Sequence, residues 1–197
     1  MKVRNLLLAL LMVCGSLGAQ EYHRSIGATL GSLNGLSYKY WATEGFAIQV
    51  DIGFQIIATK TGSVMVKGPD LVYNEPFVSS ITYMGGQLNP NFMWQGELTD
   101  NLYLNLGGGF SADIIRSRDM KFLSDIGIPV EYQNNTAMKF GINAFLGLEY
   151  TFDAPVNLSL DFRPGYGQEY DNIAAGYKYY IGFFDWNLCL GIRYRFE

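Results

Sequence analysis

Between Phe46 and Ile56 every second residue is apolar: Phe46, Ile48, Val50, Ile52, Phe54 and Ile56 alternate with Ala47, Gln49, Asp51, Gly53 and Gln55. Successive side chains of an extended strand point to opposite sides, so this segment has one apolar face and one small or polar face. The pattern returns over Met138–Phe152, Val156–Tyr166 and Phe184–Phe196, and with more small residues over Leu88–Leu98 and Leu102–Ile114. With Ile26–Leu30 and Leu36–Ala42 the chain has eight predicted strands. Most are close to the ~9–11 residues that a tilted strand needs to cross a bilayer core. Asn34-Gly35, a favoured type I′ pair, is read as the hairpin turn between the first two.

The composition narrows what such strands can build. Aromatic residues make up 15% of the chain and charged residues only 16%. Beyond the first twenty residues no stretch reaches the ~18 apolar residues of a spanning helix. A chain poor in charge yet without a long apolar run must spread its apolar residues by alternation, which is the pattern of a transmembrane barrel. A soluble β-sandwich would carry more surface charge. The expected fold is therefore all-β, an eight-stranded antiparallel up-and-down transmembrane β-barrel.

Connection lengths orient it. Thr43-Glu44-Gly45, Thr99-Asp100-Asn101 and Asp153-Ala154-Pro155 are short, whereas long segments lie near 60–85, 117–137 and 168–182. Outer-membrane barrels keep short turns in the periplasm and long loops outside. Both termini are expected in the periplasm. Tyr40, Phe46, Tyr150, Phe152, Tyr194 and Phe196 gather at the short-turn end, as an interfacial aromatic girdle would.

Residues 1–19 read as a secretory signal: Lys2 and Arg4, an apolar stretch from Leu6 to Val13, then small residues from Gly15 to Ala19. Residues 20–197 then form the barrel domain. The alternative that Cys14 is lipidated fits less well, because bulky Val13 precedes it. Loss of the signal leaves 12 basic against 18 acidic residues, about −6. With no basic run, a nucleic-acid partner is not expected. Cys189 is left alone, so neither an intrachain disulfide nor a Cys-based metal site is expected.

The terminal stretch Gly191-Ile192-Arg193-Tyr194-Arg195-Phe196 resembles the last-strand signal of outer-membrane barrels, with Gly191, Tyr194 and Phe196 at its marked positions; Glu197 after the aromatic and Cys189 at a usually polar position depart from it. Ile26-Gly27-Ala28, Asn34 through Tyr40 and Phe46-Ala47-Ile48 resemble the start of the small outer-membrane β-barrel domain family, broadly OmpA/OmpX-like. The resemblance implies the fold, an outer-membrane location, outer-membrane lipid as surroundings and the barrel-assembly machinery as a partner. It implies no catalytic residues and no cofactor.

The inward faces carry the acids Asp51, Glu97, Asp113, Glu149, Asp161 and Asp185 and the bases Lys39, Lys139, Arg163, Arg193 and Arg195. An eight-stranded barrel is only wide enough for side chains to fill, and an unpaired buried charge is costly. The near balance predicts an ion-paired network that plugs the lumen. His23, the single histidine, precedes the first strand at the periplasmic end, out of reach of a nucleophile–His arrangement at the outer leaflet. Gly107-Gly108-Gly109 lies inside a strand and lacks the helix of a phosphate loop; it is read as room for a large inward neighbour such as Tyr103 or Phe145, or as a place where the strand coils. Surface binding is left to 62–76, 117–135 and Tyr-rich 170–180. The expected function is a non-enzymatic envelope or surface-binding barrel, with a small pore as the alternative and a lipid-modifying enzyme as a further one. No cofactor or metal is expected.

Overall fold

The computed structural model describes residues 23–57, 60–67, 72–79, 83–116, 136–172 and 178–196. The signal segment and 117–135 lie outside them. The strands are β1 (Arg24–Gly31), β2 (Leu33–Thr43), β3 (Phe46–Ile57), β4 (Lys60–Lys67), β5 (Val72–Ser79), β6 (Tyr83–Thr99), β7 (Leu102–Arg116), β8 (Thr136–Thr151), β9 (Val156–Asn172) and β10 (Lys178–Phe196). Eight of them run β1-β2-β3-β6-β7-β8-β9-β10 with antiparallel neighbours, and β10 pairs back with β1 from Arg24↔Phe196 to Gly31↔Cys189. The ring is closed and has no edge.

Alternation places the side chains as the sequence pattern requires, and the section is inverted relative to a water-soluble domain. Among the described residues the buried side chains comprise six apolar ones and 22 polar or charged ones. Large apolar side chains point outward instead: Phe54 is 69% exposed and Trp94 68%. The short-turn end carries edge-to-face aromatic pairs, Phe46 against Trp94 and Tyr150 against Phe152, with ring centroids 5.8 and 4.9 Å apart.

Two expectations are corrected here. The first hairpin turns at Gly31–Ser32, not at Asn34-Gly35, which belong to β2. Gly31 takes φ +129°, open to glycine, and Asn34 braces it by accepting from its N–H at 3.0 Å and donating to its C=O at 2.7 Å. Gly35 is needed elsewhere: it faces Gly53 across β2–β3, and a Cβ on Gly35 would stand 2.1 Å from the Ile52 carbonyl. Second, the segment near 60–85 is not simply a loop. It contains the β4–β5 hairpin, whose β4 pairs with β10 from Lys178↔Lys67 to Phe184↔Thr61. Because β1 stops at Gly31, β10 offers a free edge beyond it, and β4 takes that edge. The long segment at 168–182 is likewise mostly strand, since β9 runs to Asn172 and β10 begins at Lys178.

Two prolines interrupt the wall. The β6–β7 ladder passes from Leu88↔Ala112 to Asn91↔Gly109, skipping Pro90, and the β8–β9 ladder passes from Asn143↔Gly165 to Leu146↔Phe162, skipping Pro164. Proline has no N–H for the ladder. A lumen amide covers each gap: Asn89 Nδ2 donates to the Phe110 carbonyl at 2.9 Å, and Asn143 Nδ2 donates to the Ala144 carbonyl at 3.3 Å. The amides also close a cycle, Asn89 donating to Asn143, Asn143 to Asn91 and Asn91 to Asn89, at 3.1, 2.8 and 2.7 Å.

Candidate functional site

The lumen is the polar heart of the molecule. Six ionised side chains form one chain of alternating sign across it. Asp51 Oδ2 meets Arg163 Nη1 at 2.7 Å, and Arg163 Nη2 meets Asp161 Oδ2 at 3.0 Å. Arg193 bridges Asp161 and Glu149 at 3.3 and 3.2 Å, and Lys39 Nζ closes on Glu149 Oε2 at 2.8 Å. Asp51 on β3 faces Arg163 on β9, and Lys39 on β2 faces Glu149 on β8; each pair is four strands apart in the ring of eight, so both straps span the diameter.

Neutral groups complete the coordination. Gln49 donates to Asp51 and to Asp161, Asn157 donates to Glu149 at 2.8 Å, Asn105 Oδ1 accepts from Lys39 at 3.2 Å, and Ser37 Oγ accepts from Arg193 Nε at 2.9 Å. Arg163 also reaches Asn89 Oδ1 at 3.1 Å and lies over the Phe145 ring. Three acids and three bases cancel, and all six side chains are at most 2% exposed. Buried ions persist at tolerable cost when paired and hydrogen-bonded in this way. An apolar layer of Ala47, Met93 and Phe145, with Trp41 against it, fills the lumen beside them. Gly107 stands in register with Met93 and Phe145, but a Cβ on it would meet the Phe92 carbonyl at 2.0 Å and Met93 Cβ at 2.9 Å, so it admits the close approach of β6; the Phe145 ring lies instead against Gly147, where a Cβ would stand 2.9 Å from it.

A second cluster lies toward the long-loop end. Lys139 Nζ pairs with Asp113 at 2.9 Å and with Asp185, and it sits over the Phe183 ring. Gln55 donates to Asn187 at 2.8 Å nearby. Nine of the eleven predicted lumen charges are thus inside and joined in two groups.

Glu97 and Arg195 are not in either group. Glu97 is exposed at the end of β6, and Arg195 is half-exposed, donating to the Phe152 and Ala154 carbonyls of the β8–β9 turn at 2.8 and 3.0 Å. Both side chains have inward parity but lie where the lumen opens. Buried Glu169 is a lumen charge outside the predicted set, because the alternating pattern over Val156–Tyr166 stops short of it and β9 continues to Asn172. Of the terminal signal, Gly191 is buried in register with Ser159 and Thr29, and Tyr194 and Phe196 are half-exposed opposite Ile26 and Arg24. His23 is exposed at the short-turn mouth.

Together these features define a closed, polar-cored, apolar-walled eight-stranded up-and-down barrel. No protein-family model matches the chain, and no curated protein matches it in sequence. Among solved structures, it is similar to Ail, the attachment invasion locus protein of Yersinia pestis, at 16% identity and TM-score 0.32, over 88% of this chain and 96% of that one. So loose a likeness carries no argument, and the fold stands on the ladders described above.

Proposed function

We propose that this chain is an outer-membrane barrel with a closed lumen, a non-enzymatic envelope protein whose outward segments serve surface binding. The observation that carries this reading is the inverted section. An outer wall of exposed Phe, Leu, Ile and Trp suits hydrocarbon, and closure of the ring through β1 and β10 pairs most of the strand backbone that would lie in it. The six-membered charge chain fills the bore that such a small barrel leaves. Short turns at one end and long connections at the other support an orientation with both termini in the periplasm.

Planar-bilayer recording tests the closed lumen. The purified, folded chain should leave the membrane silent. Steady single-channel steps that change with Asp51→Ala would overturn the plug in favour of a pore. Orientation has its own test: an epitope inserted after Asp125 should be stained on intact cells, whereas one inserted after Asp100 should require permeabilisation.

A further inference from the structure

The short-turn end of the lumen is not flush. It opens into a cavity of about 450 Å³, a size that holds small ligands. Trp41 and Tyr103 line it as aromatic walls, and Glu44 and Glu97 stand on its exposed rim. Trp41 is held from two sides: its indole N–H donates to Gln95 Oε1, and Lys39 Nζ lies 4.8 Å from a ring centroid. Glu149 and Asn157 line the inner part, each 1% exposed. Asn157 donates its Nδ2 to Glu149, but its buried Oδ1 has no hydrogen-bond partner.

The rim of this cavity leans acidic. Glu149 is compensated by Lys39 and Arg193, but neither Glu44 nor Glu97 makes an ion pair among the described residues. Each short turn adds an exposed carboxylate, Glu44, Asp100 and Asp153. His23 and Arg195 also line the cavity; Arg195 donates to two turn carbonyls, which fix its guanidinium without cancelling its charge, so Glu44 and Glu97 face one rim cation. Aromatic walls, an acidic rim and a buried acceptor lacking a donor complement one chemistry: an ammonium on an aliphatic stem.

We propose that this cavity binds a small organic cation, a primary amine or diamine. The stem lies against Trp41 and Tyr103, one ammonium sits between Glu44 and Glu97, and a donor reaching inward completes Asn157 Oδ1. That the cavity faces the periplasm rests on the orientation proposed above; binding to the purified barrel does not.

The test is calorimetric titration of 1,5-diaminopentane into the folded full chain in detergent, with the gel migration of unheated sample as the control for folding. Saturable binding is expected, at least about tenfold weaker for neutral 1,5-pentanediol and weakened about fivefold by Glu97→Gln. Trp41→Leu should weaken it while leaving the folded band unchanged. Equal binding of the diol, complete competition by Mg²⁺ at matched ionic strength, or an unchanged affinity in folded Glu97→Gln would overturn the site.

Discussion

Arg163 ties much of the lumen together, holding Asp51, Asp161 and Asn89 and covering Phe145. Removing one member of a buried ion pair strands its partner, at about 3–5 kcal/mol, whereas replacing both with apolar groups is often near neutral. Arg163→Met should therefore lower folded-state stability by roughly that amount, read as a shift in the urea midpoint of the heat-modifiable band. Adding Asp51→Leu should restore much of the loss, because Asp161 keeps Arg193. Residue parity was legible in the sequence here, since alternation says which side a residue faces. Depth was not. Glu97 and Arg195 have the parity of Asn91 and Arg193 yet lie at the mouth, because period two carries no information on distance along the axis. Glu169 shows the converse: Gly and Gln around it mask a strand that neighbouring strands extend.

At the level of strands, the Pro90 and Pro164 gaps tie the wall to the lumen. A carbonyl left without a donor in a dry wall costs about 1–3 kcal/mol. Asn89→Ala should remove the amide that serves Phe110 and open the three-amide cycle, lowering the unfolding midpoint. Pro90→Val restores a backbone N–H at the skipped pair. The double variant should lose less than the two single changes imply, with a coupling of about 1 kcal/mol in a double-mutant cycle. Strict additivity would separate the lumen amides from the wall. Gly53→Ala probes the opposite case, since its Cβ would meet the Asn34 carbonyl at 2.3 Å. It should cost about 1–3 kcal/mol, as overpacking does. Neither feature is marked in the sequence. Asn34-Gly35 carries the signature of a turn, and only the close passage of β2 and β3 gives Gly35 its other use.

For the whole molecule, the ring and the β4–β5 hairpin are separable. The ring was legible because each of its strands repeats one apolar face against one polar face. The hairpin was not, because Lys60–Lys67 and Val72–Ser79 mix Gly, Pro and charge without a sustained alternation. Its place follows from a length mismatch: β10 has 19 residues and β1 only 8, so part of the β10 edge lies beyond its closing partner. Among the described residues β4 pairs with that part and with no other ring strand. Closure depends on β1↔β10 alone, over Arg24–Gly31 and Cys189–Phe196. Replacing 60–79 with a short Gly-Ser turn should leave the gel shift of the unheated protein intact. In hydrogen exchange the effect should be local: amides of 178–184 that face β4 lose protection, while those of 189–196 that face β1 keep theirs. Loss of the shifted band would mean that the hairpin helps to close the ring, and that the eight strands do not suffice by themselves.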